Sequence, residues 1–167
     1  MSGSWEILNS NRVVVGILHT DATTVAWSFG LRNLIVPGPP PVPIAGMPYD
    51  HGRNVCCQIC LDNGLEGVFY LDSDVIPPRD TILRLLAHNL PLVSGVYYRR
   101  SPPAGVPVAH KPPGHWLTEL PAHGVIPVDY VGAGCLLIHR QLLERMAPYP
   151  NGKRWFDWRV DRGDLPP

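Results

Sequence analysis

The chain has 167 residues, 45% of them hydrophobic and 17% charged, with 14 basic residues against 14 acidic. That length and balance describe one globular domain and exclude a disordered chain. Zero net charge leaves no long-range field to attract nucleic acid or an anionic membrane.

No apolar run approaches the ~20 residues that cross a bilayer. The N-terminus lacks the basic-then-apolar order of a signal peptide, so the expected location is the cytoplasm. Residues 12–19 open the fold as a continuous apolar run typical of a parallel strand covered on both faces, ending at His19, Thr20 and Asp21. Residues 23–34 have helical spacing. Residues 36–43 hold so many prolines that a stiff, polyproline-like connector is expected, followed by a short strand over 44–47. Asp50-His51-Gly52 reads as a turn with Asp50 as a helix cap, and residues 53–63 as the helix it opens, stopped at Asn63-Gly64. Cys56, Cys57 and Cys60 fall in that helix and Cys135 lies far away. With no second pair to complete a metal site, the cysteines read as buried packing.

Residues 67–71 form a strand that runs into Asp72-Ser73-Asp74 and then Pro77-Pro78. Two carboxylates beside a buried strand are costly unless their charge is compensated. They suit a hard cation such as Mg2+ or Mn2+, which commonly bridges protein and substrate phosphate. A helix from Pro78 to about His88 and a strand over 92–98 follow. Residues 101–113 read as a loop, 116–120 and 125–130 as short edge strands, 131–139 as a strand that starts with two glycines, and 140–146 as a short helix. Alternating strands and helices predict an α/β domain with a mostly parallel sheet flanked by helices, plus a small antiparallel segment in the second half. In such sheets ligands lie outside the carboxyl ends of the strands, so His19-Thr20-Asp21 and Asp72-Ser73-Asp74 should face one cleft.

These residues resemble nucleotide-sugar glycosyltransferases of the Rossmann-like GT-A fold, such as family 2 and mannan-polymerase-like members. The resemblance rests on residues 67–78 with their "DxD", the following helix and strand, and the later Val128-Asp129-Tyr130-Val131-Gly132-Ala133-Gly134-Cys135 segment. The Arg53-Asn54 pair opening a helix adds to it. The similarity covers residues 12–158 of a single domain spanning 1–167, with 159–167 expected as a disordered tail. It implies a metal-dependent enzyme that moves a sugar from a UDP- or GDP-sugar donor to a saccharide or other hydroxyl acceptor, with no nucleic-acid partner. It implies that Asp74 ligates Mn2+ or Mg2+ directly and that Asp72 contacts the ribose or the metal. His19, Thr20, Asp21, Arg53, Ser73, Gly132 and Gly134 would line the donor site.

In many relatives the aromatic segment, here Trp155-Phe156-Asp157-Trp158, is followed by a Glu-Asp motif and later by a metal-binding His. This sequence holds neither, which fits a truncated chain or a small enzyme that fills those roles from within. Asp157 is then the first candidate base and Asp129 the second. His51, His110, His115 and His123 are candidates for a third ligand. Inverting and retaining chemistry both stay open. Other classes fit less well. A nucleotidyltransferase would carry a glycine-rich basic loop after its first strand, and a haloacid-type phosphatase would carry its Asp-x-Asp early and follow it with Thr. A nucleotide-sugar-binding module without catalysis is the alternative outside the enzymes.

Overall fold

The computed structural model describes residues 12–19, 22–100, 105–111, 115–121, 123–146 and 155–157. Strand β1 (Val13–Leu18) is buried along its whole length. Its alternate side chains serve two cores. Val13, Val15 and Ile17 join Trp27 and Leu34, while Val14 and Leu18 join Ile44 and Cys56. This is the period-2 geometry of a strand covered on both faces.

Helix α1 (Val25–Asn33) is capped by Thr24, whose side chain accepts from the Trp27 amide. Strand β2 (Val42–Ile44) follows, then α2 (Tyr49–Asp62), β3 (Gly67–Asp72), α3 (Thr81–Ala87) and β4 (Leu92–Ser94). After β5 (Ala109–Lys111), β6 (His115–Trp116) and β7 (Tyr130–Val131), the described chain continues through β8 (Cys135–His139) into α4 (Arg140–Arg145).

The main sheet has the order β2-β1-β3-β8-β4. β1 is parallel to β2 and β3, and β8 is antiparallel to both β3 and β4. Four strands therefore point one way, with β8 reversed between two of them. One face is covered by α1 and α3, through Trp27, Ile82, Leu85 and Leu86. The other is covered by α2 and α4, through Cys56, Cys57, Cys60 and Leu143. The expected α/β layering with a mostly parallel sheet is the observed one. No described helix is long and apolar enough to cross a membrane.

Five expectations are corrected. The short strand expected over 44–47 is β2 at Val42–Ile44, which reaches back into the proline-rich connector, because an edge strand with one neighbour tolerates Pro43, which lacks an amide hydrogen. The expected turn at residues 50–52 is instead the first turn of α2, with Pro48 at the N-cap and Asp50 inside the helix. The expected strand over 92–98 ends at Ser94, and the predicted loop 101–113 contributes β5, the centre of a three-stranded antiparallel sheet with β6 and β7. The expected strand over 131–139 is two strands, β7 and β8. Between them Gly132-Ala133-Gly134 carries the chain from the small sheet to the large one.

Gly16 sets how closely α2 lies on β1. A Cβ there would meet Cys56 Sγ at 2.5 Å, closer than real Cβ contacts. Gly16→Ala should cost about 1–3 kcal/mol by overpacking. In urea denaturation the Gly16→Ala/Cys56→Ala double variant should be more stable than Gly16→Ala alone, because the obstructing sulfur is gone.

Candidate functional site

The site is built where β3 ends. Leu18 pairs with Asp72 across the parallel ladder, so the carboxyl ends of β1 and β3 lie side by side. The His19 amide donates to the Ile44 carbonyl at 3.0 Å, which brings the end of β2 alongside. The main chain of Asp72-Ser73 is held from several directions. The Asp72 amide donates to the Gly134 carbonyl at 3.0 Å and the Ser73 amide to the Leu18 carbonyl at 3.1 Å. The Asp72 carbonyl accepts from the Trp27 indole at 3.1 Å and from the Val75 amide at 3.1 Å.

The Asp72 carboxylate is met by Arg53, whose Nη2 donates to Oδ1 at 2.9 Å. Arg53 is not a solvated surface residue: its side chain is 13% exposed, against 28% for Asp72. The guanidinium carbon lies 5.8, 6.0 and 5.9 Å from the ring centroids of Tyr49, Tyr70 and Phe156, within the range of cation–π attraction. Arg53 Nε is buried with no hydrogen-bond partner.

Tyr70 fixes this arrangement from below. Its hydroxyl donates to the Arg53 carbonyl at 2.8 Å, which leaves the Cys57 thiol, 2.9 Å from Tyr70 Oη, to donate to it. Burial raises the Asp72 carboxyl above its ordinary pKa; Arg53 pulls it down, and the charge on Asp74 pushes it further up. The thiols are buried packing groups, as expected. Burial pushes Cys56 and Cys135 up to about 11 and Cys57 and Cys60 up to about 12, so none is a ready thiolate at neutral pH.

Asn54, next to Arg53, ties the aromatic segment to α2. Its Nδ2 donates to the Phe156 carbonyl at 2.7 Å, and its Oδ1 accepts from the Trp155 and Phe156 amides at 2.8 and 3.0 Å. Trp155 is anchored again through its indole N–H to the Leu143 carbonyl at 2.9 Å. Phe156 packs edge-on against Tyr70 with centroids 5.4 Å apart. Exposed Asp157 is thereby delivered beside the ring that covers Arg53.

Tyr97 is the residue that sequence reasoning missed. Its hydroxyl oxygen accepts from the Gly134 amide at 3.0 Å. A Cβ on Gly132 would lie 1.9 Å from Tyr97 Oη, and one on Gly134 would lie 3.0 Å from Tyr97 Cζ and 3.1 Å from Asp72 Oδ2. The two glycines do permit close approach, and the group occupying that space is the Tyr97 phenol. The pairing of β8 with β4 brings residue 97 to residues 132–134, together with Val108, whose amide donates to the Tyr97 carbonyl and whose carbonyl accepts from the Gly132 amide, so no local pattern announces it.

The other expected residues are distributed unevenly. Asp74 is exposed, 3.8 Å from Arg100 Nη1, and its carbonyl accepts from Arg100 Nη2 at 2.6 Å. Thr20 and Asp21 lie outside the described residues. Asp129 is exposed on the small sheet, its amide donating to the His110 carbonyl at 3.0 Å, and no described hydrogen bond or ion pair joins it to Asp72. His51 and His123 are exposed, His115 belongs to β6, and the His110 ring lies against Trp116 at 3.7 Å. Among the described residues no group of three or more His, Cys, Asp or Glu side chains converges.

No family model and no curated protein matches this chain. Among solved structures, the crystal structure of A197 from STIV is similar. It covers 86% of this chain and 74% of its own, at a TM-score of 0.61 and 19% identity. At that identity the likeness speaks to the fold alone.

Two predictions follow from this geometry. A carbon-detected titration should place the Asp72 midpoint above that of an ordinary carboxyl, and Asp74→Asn should lower it by removing the repelling charge. A carboxyl raised in the folded state makes the native protein bind more protons. Its stabilising contribution is therefore full below the unfolded-state pKa and lost as pH rises through the folded one. Asn54→Ala, which strands two amides and a carbonyl, should cost about 1–3 kcal/mol in chemical denaturation.

Proposed function

We propose that the chain is a metal-dependent glycosyltransferase of the GT-A type, moving a sugar from a UDP- or GDP-sugar to the hydroxyl of a saccharide or other acceptor. One observation carries the reading. Asp72-Ser73-Asp74 stands at the carboxyl end of the central strand β3, with His19 at the end of β1 on one side and Gly134 of the reversed segment on the other. Ligands of open α/β sheets bind at such strand ends. The antiparallel strand after Gly132 and Gly134, set against the Asp-x-Asp, supports the GT-A assignment in particular.

The residues fit a hard divalent cation. Asp74 offers an exposed carboxylate, and Asp72 keeps Oδ2 free of Arg53, while burial first, and the neighbouring negative charge with it, raises its pKa against the pull of Arg53. Carboxylates with positions left for water and phosphate oxygens suit Mg2+ or Mn2+. When bound, the cation supplies charge neutralisation for the departing diphosphate.

The protein's own residues do the rest. Arg53, held beneath Tyr49 and Phe156, adds a second positive charge at the donor end. Tyr97 and Gly134 hold the main chain of Asp72 in place. In the reaction the sugar C1–O bond to the diphosphate breaks and a bond from the acceptor oxygen to C1 forms. The acceptor proton passes to a carboxylate in an inverting course, or to the leaving phosphate in a retaining one. Asp157 is the better candidate base, because Asn54 fixes its neighbour Phe156 at the site. Asp129, on the small sheet, has no such tie. The four unpaired thiols suit a reducing, cytoplasmic setting.

The reading is tested by incubating the protein with Mn2+ and a panel of nucleotide sugars and measuring released nucleoside diphosphate. Asp72→Ala and Asp74→Ala should each lower the rate at least ~100-fold, as expected for several kcal/mol of charge stabilisation. Turnover that needs no metal and survives both substitutions would overturn it. Tight donor binding with no turnover would assign the fold to a nucleotide-sugar-binding module instead, an outcome favoured by the Arg53 partner that already occupies Asp72.

A further inference from the structure

We propose that Arg53 is an exchangeable internal counter-ion of Asp72, which competes with a divalent cation for this carboxylate and is displaced from Oδ1 as the cation binds, so that the protein's affinity for the cation is set by this guanidinium as well as by the carboxylates. The inference rests on the glycosyltransferase reading of the Asp72-Ser73-Asp74 turn and concerns how that site is filled.

Three observations carry it. First, the two members of the pair come from different elements, α2 and β3, and the contact between them is a single hydrogen bond of 2.9 Å from one guanidinium nitrogen to one carboxylate oxygen. A two-pronged guanidinium–carboxylate contact would be the stronger arrangement, and it is not made here. Second, Arg53 Nε is buried and unpartnered. A buried donor without an acceptor is costly, so the guanidinium gains when an anionic oxygen reaches it. Third, the guanidinium has somewhere to stay when it releases Asp72. The rings of Tyr49, Tyr70 and Phe156 lie around it at 5.8 to 6.0 Å, and none of those contacts depends on the carboxylate.

Asp74 differs from Asp72 in each respect that matters for entry. Its side chain is 54% exposed, and its partner Arg100 is 70% exposed and 3.8 Å away. A solvated pair at that distance holds weakly. A cation can therefore engage Asp74 first and then compete with Arg53 for Asp72. Once displaced, Arg53 offers Nη2 and Nε to the anionic oxygens that arrive with the cation. The cation and a diphosphate are then positively coupled through one side chain, and by linkage each strengthens the other equally.

The probe is Mn2+ alone, titrated into the full chain and followed by the electron paramagnetic resonance signal of free Mn2+. Arg53→Met should bind Mn2+ about 5- to 150-fold more tightly than the wild type, the usual span of coupling between sites. Arg53→Lys, which keeps the charge, should bind as the wild type does. Adding Asp72→Asn to Arg53→Met should abolish the gain. Thermal melts report whether each variant is folded.

A second measurement needs no substitution. The Arg53 Nε–H resonance of the wild type should move as Mg2+ is added, and should not move in Asp72→Asn. If the wild type binds Mn2+ while Arg53→Met binds it no more tightly, or if the Arg53 resonance is unmoved at saturating Mg2+, the counter-ion proposal falls and the functional reading stands. If neither the wild type nor any variant binds either cation, the metal-dependent reading falls and takes the proposal with it.

Discussion

A carboxylate at the end of a strand buried on both faces has to be compensated, and that requirement organises this molecule. Asp72 is reached by β1 through Leu18, by α1 through Trp27, by α2 through Arg53 and by the start of β8 through Gly134. Its main chain is fully engaged and its side chain is not. Burial and Asp74 together outweigh Arg53, because the Asp72 carboxyl is raised in spite of the ion pair. The protein therefore tolerates a carboxylate that its own positive charge only partly satisfies. Carboxyls shifted by burial beside a specific charged partner cluster at functional sites.

The second layer of the site explains residues that otherwise look decorative. Tyr70 is wholly buried in the central strand, yet its hydroxyl serves the backbone of α2 at Arg53. Cys57 in turn serves Tyr70, so the cysteine-rich face of α2 packs and hydrogen-bonds, with its thiols pushed up by burial. Asn54 spends its whole amide on the segment carrying Phe156, and Phe156 then covers Arg53. A guanidinium under three rings is less hydrated than one in water, which strengthens every contact it makes with an anion.

Much of the sheet was legible because its signal is local. β1 and β3 are continuous apolar runs, and the helices around Ile82 and Leu143 have plain spacing and stops. β2 was obscured by Pro43, since a rule that holds inside a sheet relaxes at its edge. β5 was obscured by its brevity and its proline-rich flanks, and among the described residues its strand partners are β6 and β7. In the site, Asp72, Arg53 and the two glycines could be singled out individually, because carboxylates at strand ends and glycines at strand starts are unusual. Their connections could not. The reach from Arg53 to Asp72, from Tyr97 to Gly134 and from Asn54 to Phe156 is created by tertiary packing and leaves no trace in residue spacing.

The strand order has a consequence for synthesis. β4 sits at one edge of the sheet with β8 as its one strand neighbour, and β8 occupies the slot between β3 and β4. While a nascent chain emerges from the ribosome, β2, β1 and β3 can pair as soon as residue 72 is out, but β4 has nothing to pair with until residues 135–139 follow. During that interval the sheet has an unfilled gap. The open edge of β3, made of Phe69, Tyr70 and Leu71, waits for a strand that is more than sixty residues away in sequence. An exposed apolar edge of this sort is where chains associate wrongly. The same reversed strand that closes the sheet beside Asp72 is thus the piece whose late arrival leaves the edge of β3 open longest.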